Sequence, residues 1–434
     1  MLFLGLERQY MIKRIWSREI LDSRGIPTVE CYCQLDDGRF ATTAVPAGTS
    51  TGSHEALELR DNDLLRYSGQ AVLKACENIN TILGPAIVGM DPTKQDEIDQ
   101  KLISLDGTDN KSKYGGNSIL AISQVVCKVA ALSQNKALYT WINELAVQKG
   151  MKSGVKLPTP LLNMINGGLH GAGNLDFQEF WMIPATSKKF HEGLQMGVEI
   201  YQAIGENLAR RGAIHSVGHE GGYAPNLFTN ADAFEVFVES VKQTNYSLGR
   251  DVFLGLDVAA NSFYKDGDYT IRDRSSSLTD DQLLDYYKEL VNTYRLAILE
   301  DPFQEDAWSS WKKITAEFSG TAIIVGDDIL VTNPKRLQKA IDEKACNGAV
   351  IKPNQIGTVT ETLEVVKMAK AAGWKIITSH RSGETNDTFI ADFAVGIASD
   401  YAKFGAPARG ERVAKYNRLT AIEIELDYFI GIRK

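Results

Sequence analysis

The stretches "VFLGLDV" (252–258) and "LAILEDP" (296–302) decide the fold. Each is a short apolar run of the kind that forms a buried strand, and each meets a carboxylate at its end, Asp257 and Glu300. Working outward, "AIIVGDD" (322–328), "GAVIKP" (348–353) and "KIITSH" (375–380) repeat the form and reach Asp327 or Asp328, Lys352 and His380. Between the runs lie amphipathic stretches of helix length with legible starts. Thr279 followed by Gln282, and Thr358 followed by Glu361, fit the capping box, and Asn333-Pro334 reads as cap plus first turn. Strand and helix in alternation imply a parallel sheet. Five such units, with room for more upstream, fit a (β/α)8-type barrel better than a doubly wound sheet.

The first part of the chain follows another pattern. Residues 11–45 alternate apolar and polar, with a turn at Asp37-Gly38, and predict antiparallel strands. In "TVECYCQLDD" the alternation puts Cys31 and Cys33 on one face of a strand, where they pack as small hydrophobes. From 64 to 148 apolar residues recur three and four apart, and "KGMKSGVKLPTP" (149–160) reads as a linker. The expected fold class is α/β: an extra N-terminal segment (1–10), an α+β capping domain (11–150) and a barrel carrying the site (151–434). Met11 is the expected true start.

Composition narrows the function. The 434 residues are 44% hydrophobic and 24% charged, enough for a large core, and the net charge of -8 leaves no basic footprint for nucleic acid. No apolar run approaches the roughly 18–20 residues of a membrane span. The opening "MLFLGLERQYMIKRIW" is too short and too charged for a signal peptide, so a cytoplasmic protein is expected. Five cysteines, an odd number, suit a reducing compartment. Neither HExxH nor a P-loop occurs.

Residues at the C-terminal ends of successive barrel strands converge on one mouth. Three carboxylates gathered there, Asp257, Glu300 and Asp327, require a cation between them, and ligation by oxygen alone points to Mg²⁺. Lys352 beside bound cations is pushed toward its neutral form and can act as a base. His380, Arg381 and Ser382, in "SHRSGETND", offer donors suited to a phosphate or carboxylate.

These residues lie in longer motifs: "REILDSRGIPTVE", "PAGTSTG", "NMINGGLHGAGNLDFQEF", "EGGYAPN", "LEDPFQEDAW", "GDDILVTNP", "IKPNQIGT", "SHRSGETNDTFIAD" and "GAPARGER". Through them the chain resembles the enolase family, lyases that interconvert 2-phosphoglycerate and phosphoenolpyruvate. The resemblance spans residues 11–434 and implies two Mg²⁺ per site and a homodimer or octamer. It implies that Asp257, Glu300 and Asp327 bind the first ion and that Ser50, on the "PAGTSTG" loop, reaches the second. Lys352 is then the base and Glu220 the acid. Glu179, Gln178 and His170 line the pocket near Glu220. Arg381 and Ser382 hold the phosphate, and Lys403 the substrate carboxylate beside His380. A close pair such as Glu179 and Glu220 can share a proton at neutral pH.

Several positions depart from the family's pattern: Ala47, Thr49, Leu169, His219, Asn386, Phe404 and Gly410. His219 stands where an aspartate is usual, and as a cation it would lower the pKa of Glu220. Two alternatives follow, a paralogue acting on a phosphonate analogue, similar to carboxyphosphonoenolpyruvate synthesis, and a scaffold without catalysis.

Overall fold

The computed structural model describes residues 10–48, 54–171, 173 and 175–432. Strands β1 (Ile12–Leu21), β2 (Pro27–Leu35) and β3 (Phe40–Ala44) form an antiparallel sheet in that order. Val29, Cys31, Cys33 and Leu35 all face the core, as the alternation predicts. The sheet packs on the helix Gly116–Ser133. By length and mean hydropathy (1.3) this helix could cross a membrane, contrary to the reading of the sequence, but 89% of it is buried inside the protein. Its apolar surface is therefore core surface.

The barrel consists of β4 (Thr159–Asn166), β5 (Glu179–Pro184), β6 (Val252–Asp257), β9 (Leu296–Glu300), β10 (Ile323–Gly326), β11 (Gly348–Ile351), β12 (Lys375–Ser379) and β13 (Tyr401–Lys403). A two-residue hairpin, β7 (Tyr264–Lys265) and β8 (Asp268–Tyr269), lies outside it. The eight strands close in the order β4-β5-β6-β9-β10-β11-β12-β13. Closure matches the expectation, but a wholly parallel sheet does not: β5 is antiparallel to both β4 and β6. The physical reason lies in the link 167–178, whose described residues contain one short 3₁₀ turn, Gly168–His170, and no crossover helix. Parallel neighbours need a crossover, usually helical, whereas antiparallel ones can be joined directly. Two helices, Phe190–Arg210 and Asn230–Lys242, then return the chain so that β6 runs with β9.

The reversal positions the site. Glu179, the first residue of β5, pairs with Asp257, the last of β6, which in turn pairs with Glu300, the last of β9. Beneath them the ring is filled by Leu161, Trp181, Ile183, Ile298, Val325, Val350 and Ile377.

The caps at Thr279 and Asn333 form as read: Thr279 and Gln282 exchange bonds, and Asn333 accepts from the amides of Lys335 and Arg336. At the helix Val359–Ala371 only half of the box forms. Thr358 accepts from the Glu361 amide (3.1 Å), but the Glu361 carboxylate turns to the Thr358 hydroxyl and Lys111. The two preceding amides are capped across the domain junction, Val359 by the Ser123 hydroxyl (2.9 Å) and Thr360 by Asp99 (3.0 Å).

Candidate active site

The strand ends surround a cavity of about 250 Å³ lined by His170, Glu179, Glu220, Asp257, Asp327, Lys352, His380, Arg381, Ser382 and Lys403. The structure thus brings the sequence candidates together, with Gln178 also in the lining and Glu300 fully buried against Lys403. Ser50 and Thr49 lie outside the described residues, as do residues 1–9.

Lys403 Nζ sits among three carboxylates, at 2.7 Å from Glu300, 2.8 Å from Asp257 and 3.2 Å from Glu179. Burial lowers its pKa, but these carboxylates outweigh burial and hold the ammonium well above its ordinary value. Gln178 also donates to Asp257 (3.1 Å). On the far side Lys352 pairs with Asp327. Burial alone would favour the neutral amine, but Asp327 raises the Lys352 pKa, so here the lysine is charged rather than neutral.

Glu300, Asp301 and Asp327 form one group whose carboxylate oxygens lie close enough to share a metal. Asp301 is already committed, because its two oxygens accept from the amides of Asp327 and Asp328 (3.0 and 2.9 Å) and brace that turn. Burial, aided by Asp257 and Asp327, pushes the Glu300 carboxyl well up despite Lys403. Asp257 Oδ1 and Glu300 Oε2 are buried acceptors with no hydrogen-bond donor. Such oxygens, in a set without sulfur or imidazole, fit a hard divalent cation.

The third cluster contains Glu220. Gly221 turns the chain with φ +89, a conformation that favours glycine, and Glu220 is left buried. Its carboxylate lies 3.2 Å from His380 Nε2, 3.3 Å from Asn163 Nδ2 and 3.5 Å from His170 Nδ1. His170 Nδ1 is equally far, 3.5 Å, from Glu179, which also accepts from Trp181 Nε1 (2.8 Å). The pair does not titrate symmetrically. Burial and the neighbouring Glu220 raise Glu179, whereas burial of Glu220 is overcome by His380 and His170, with Arg412 behind, which hold it well below the carboxylate range. Burial lowers His170 too, but Glu220 and Glu179 outweigh it and raise its pKa. His170 Nδ1 therefore lies midway between the two carboxylates, 3.5 Å from each.

Arg381 is held by Glu55 (2.9 and 3.3 Å) and Asn354 (3.1 Å). Ala47 and Gly383 exchange backbone bonds at 2.8 and 2.9 Å, which seats the start of the "PAGTSTG" loop against the Ser382 turn. Glu55, Asn163, Gln355 and Arg412 are site residues that the sequence reading missed. A signal existed for Arg412: a cation in the first turn of the helix Gly410–Ile432 opposes the helix dipole and so needs another reason to be there. It donates to His380 Nδ1 and to the carbonyls of Arg381, Ser382 and His219.

The expectation for His219 is corrected. Partial burial, then His170 and Arg24, lower its pKa, so near neutral pH it is uncharged and cannot act on Glu220 as a cation. Of the described departures from the family's pattern only Leu169 lines the cavity. Asn386 is exposed, Phe404 is buried beside Tyr416, and Gly410 has open space where a side chain would stand.

Fold and mouth together define the class: a barrel enzyme equipped for acid–base chemistry on an anionic substrate. Residues 12–142 match the family described as "Enolase, N-terminal domain" and residues 154–430 match "Enolase, C-terminal TIM barrel domain". The chain is 47% identical over 430 residues to the enolase of Solanum lycopersicum, covering 96% of this chain and 95% of that protein. The chain belongs to the enolase family.

Proposed function

We propose that the protein is a Mg²⁺-dependent hydro-lyase that interconverts 2-phospho-D-glycerate and phosphoenolpyruvate. One observation carries this reading. Lys352 follows β11 and Glu179 begins β5, four strands away in a ring of eight, so base and acid cluster face each other across one cavity.

A proton next to a carboxylate is weakly acidic, because its removal leaves a dianionic aci-carboxylate. Asp257, Glu300 and Asp327 would hold a Mg²⁺, which would supply positive charge to those oxygens, and the family resemblance assigns Ser50 to a second ion. Lys352 takes the C2 proton in its neutral form, once Asp327 is no longer its partner. Lys403 and His380 orient the substrate carboxylate, and Arg381 and Ser382 hold the phosphate. Hydroxide is a poor leaving group, so Glu220 donates a proton to it, drawn from the cluster that His170 bridges to Glu179. Gln178 and Glu179 fix the hydroxyl end.

A phosphonate-specific paralogue is not favoured, since Leu169 is the single described departure in the cavity lining and Asn386, Phe404, Gly410 and His219 stand off it. The same reading places the protein in the cytoplasm, a setting that suits five buried free cysteines, and in a homodimer or a higher multiple such as an octamer. The test is to mix purified protein with 2-phosphoglycerate and Mg²⁺ and follow the ultraviolet absorbance of phosphoenolpyruvate. A folded, metal-loaded preparation without turnover overturns the assignment.

A further inference from the structure

Val331 and Thr332 are consecutive buried β-branched residues with φ of +43° and +49°. β-Branched side chains rarely adopt this left-handed conformation, and such residues persist only where their surroundings over-determine them. Here the backbone is held by the Val331 amide on the Asp327 carbonyl (2.7 Å) and the Asn333 amide on the Leu330 carbonyl (2.9 Å). The turn delivers the Thr332 hydroxyl to a defined place. It accepts from the Lys352 amide (3.0 Å), which leaves its own hydrogen for Gln355 Oε1 at 2.7 Å.

That donation tells the two ends of the Gln355 carboxamide apart. With its oxygen facing Thr332, its NH₂ faces two carboxylates, Asp327 Oδ1 at 3.0 Å and Glu55 Oε1 at 3.4 Å. A flipped amide would turn its oxygen on both. Glu55 in turn grips Arg381, and the Gln355 carbonyl accepts from the Ala56 amide (2.8 Å). Through Gln355 one hydroxyl is thus connected to Asp327, which is both the partner of the base and a proposed metal ligand, and through Glu55 to the arginine assigned to phosphate.

We propose that Thr332 is a positioning residue for this reaction: by fixing the orientation of Gln355 it sets Asp327 for metal and Glu55 for Arg381. The inference rests on the function proposed above. A plainer role, in which the hydroxyl only satisfies the buried Lys352 amide, would lower stability without moving metal affinity.

The test uses the full chain as wild type, Thr332→Val, Thr332→Ser and Gln355→Met. Valine keeps the shape of threonine and loses the hydroxyl. Thr332→Val is expected to lower kcat/KM for 2-phosphoglycerate and calorimetric Mg²⁺ affinity by about 10–100-fold, the usual effect of losing an outer partner of a metal ligand. Serine should restore most of the loss. Gln355→Met should reproduce it, and the double variant should be no worse than the worse single one. Wild-type Mg²⁺ affinity and kcat/KM in Thr332→Val or in Gln355→Met, or losses that multiply in the double variant, overturn the proposal. Should Thr332→Val not fold, Gln355→Met decides by the same measurements. A wild type that does not turn over 2-phosphoglycerate removes the proposed function instead, and the Mg²⁺ titrations of the same proteins then decide the positioning role.

Discussion

Arg412 Nη1 lies 2.7 Å from Nδ1 of His380, and this contact fixes the imidazole tautomer. A guanidinium can only donate, so Nδ1 must accept. The hydrogen of the neutral ring is then on Nε2, the nitrogen that lies 3.2 Å from Glu220 Oε2. Burial lowers His380 to about 3 against the pull of Glu220, so the ring stays neutral across the working pH range. Nitrogen NMR of the labelled protein should show His380 protonated on Nε2 alone from pH 5 to 8. An Nδ1–H tautomer, or an imidazolium titrating within that range, would reject the arrangement.

The two halves of the reaction should separate by mutation. Lys352→Ala is expected to abolish exchange of the C2 proton of 2-phosphoglycerate with solvent, a loss on the order of 10²-fold or more. Glu220→Gln should retain that exchange and lose net dehydration. Retained exchange in Lys352→Ala would remove Lys352 as the base, and loss of both reactions in Glu220→Gln would remove the division of labour.

Asp99 makes stability depend on pH. Burial raises its carboxyl from 3.8 to about 6, against donors from Thr360, Ser123 and Gln95. A raised carboxyl binds its proton more tightly in the fold than in the unfolded chain. The stability it lends is complete below about pH 4 and is lost as pH rises through about 6. The shift corresponds to about 3 kcal/mol. Between pH 4 and pH 8 the unfolding free energy of Asp99→Asn, relative to wild type, should move in favour of the variant by about that amount. A difference flat with pH would refute the coupling.

Gly383 should not tolerate a side chain. A Cβ there would stand 2.2 Å from Asp22 Oδ2 and 2.4 Å from Arg24 Nη2, beside the backbone pairing with Ala47. Gly383→Ala is expected to cost about 1–3 kcal/mol of stability and to part Ala47 from the Ser382 turn. Misplacing site groups by about 1 Å can cost 10²-fold, so kcat/KM should fall by about that factor. Unchanged steady-state kinetics in this variant would show that the pairing does not seat the site.

The strand-end rule alone located Asp257, Glu300, Asp327, Lys352 and His380, because a parallel strand ends at the mouth and a polar residue after an apolar run is visible in one dimension. Glu179 was accessible only through the resemblance. It begins its strand, and nothing local announces that β5 runs backwards. Glu55 and Gln355 were missed for another reason: they meet across a separation of 300 residues, and Glu55 meets Arg381 across 326. No periodicity reports such a contact. His219 was misjudged because a substitution of charge type says nothing about the surroundings that set the pKa.

The reversed strand ties catalysis to architecture. Glu179 and Trp181 lie two residues apart on β5, so both turn to the inside of the ring, one at the mouth and one in its packed interior. Slippage of β5 by a single residue would expel both at once. It would remove a carboxylate from the proton cluster and the largest side chain from the filling beneath it. A chain misaligned at β5 would therefore lose packing together with chemistry, and the interior that stabilises the barrel also proofreads the alignment on which its acid depends.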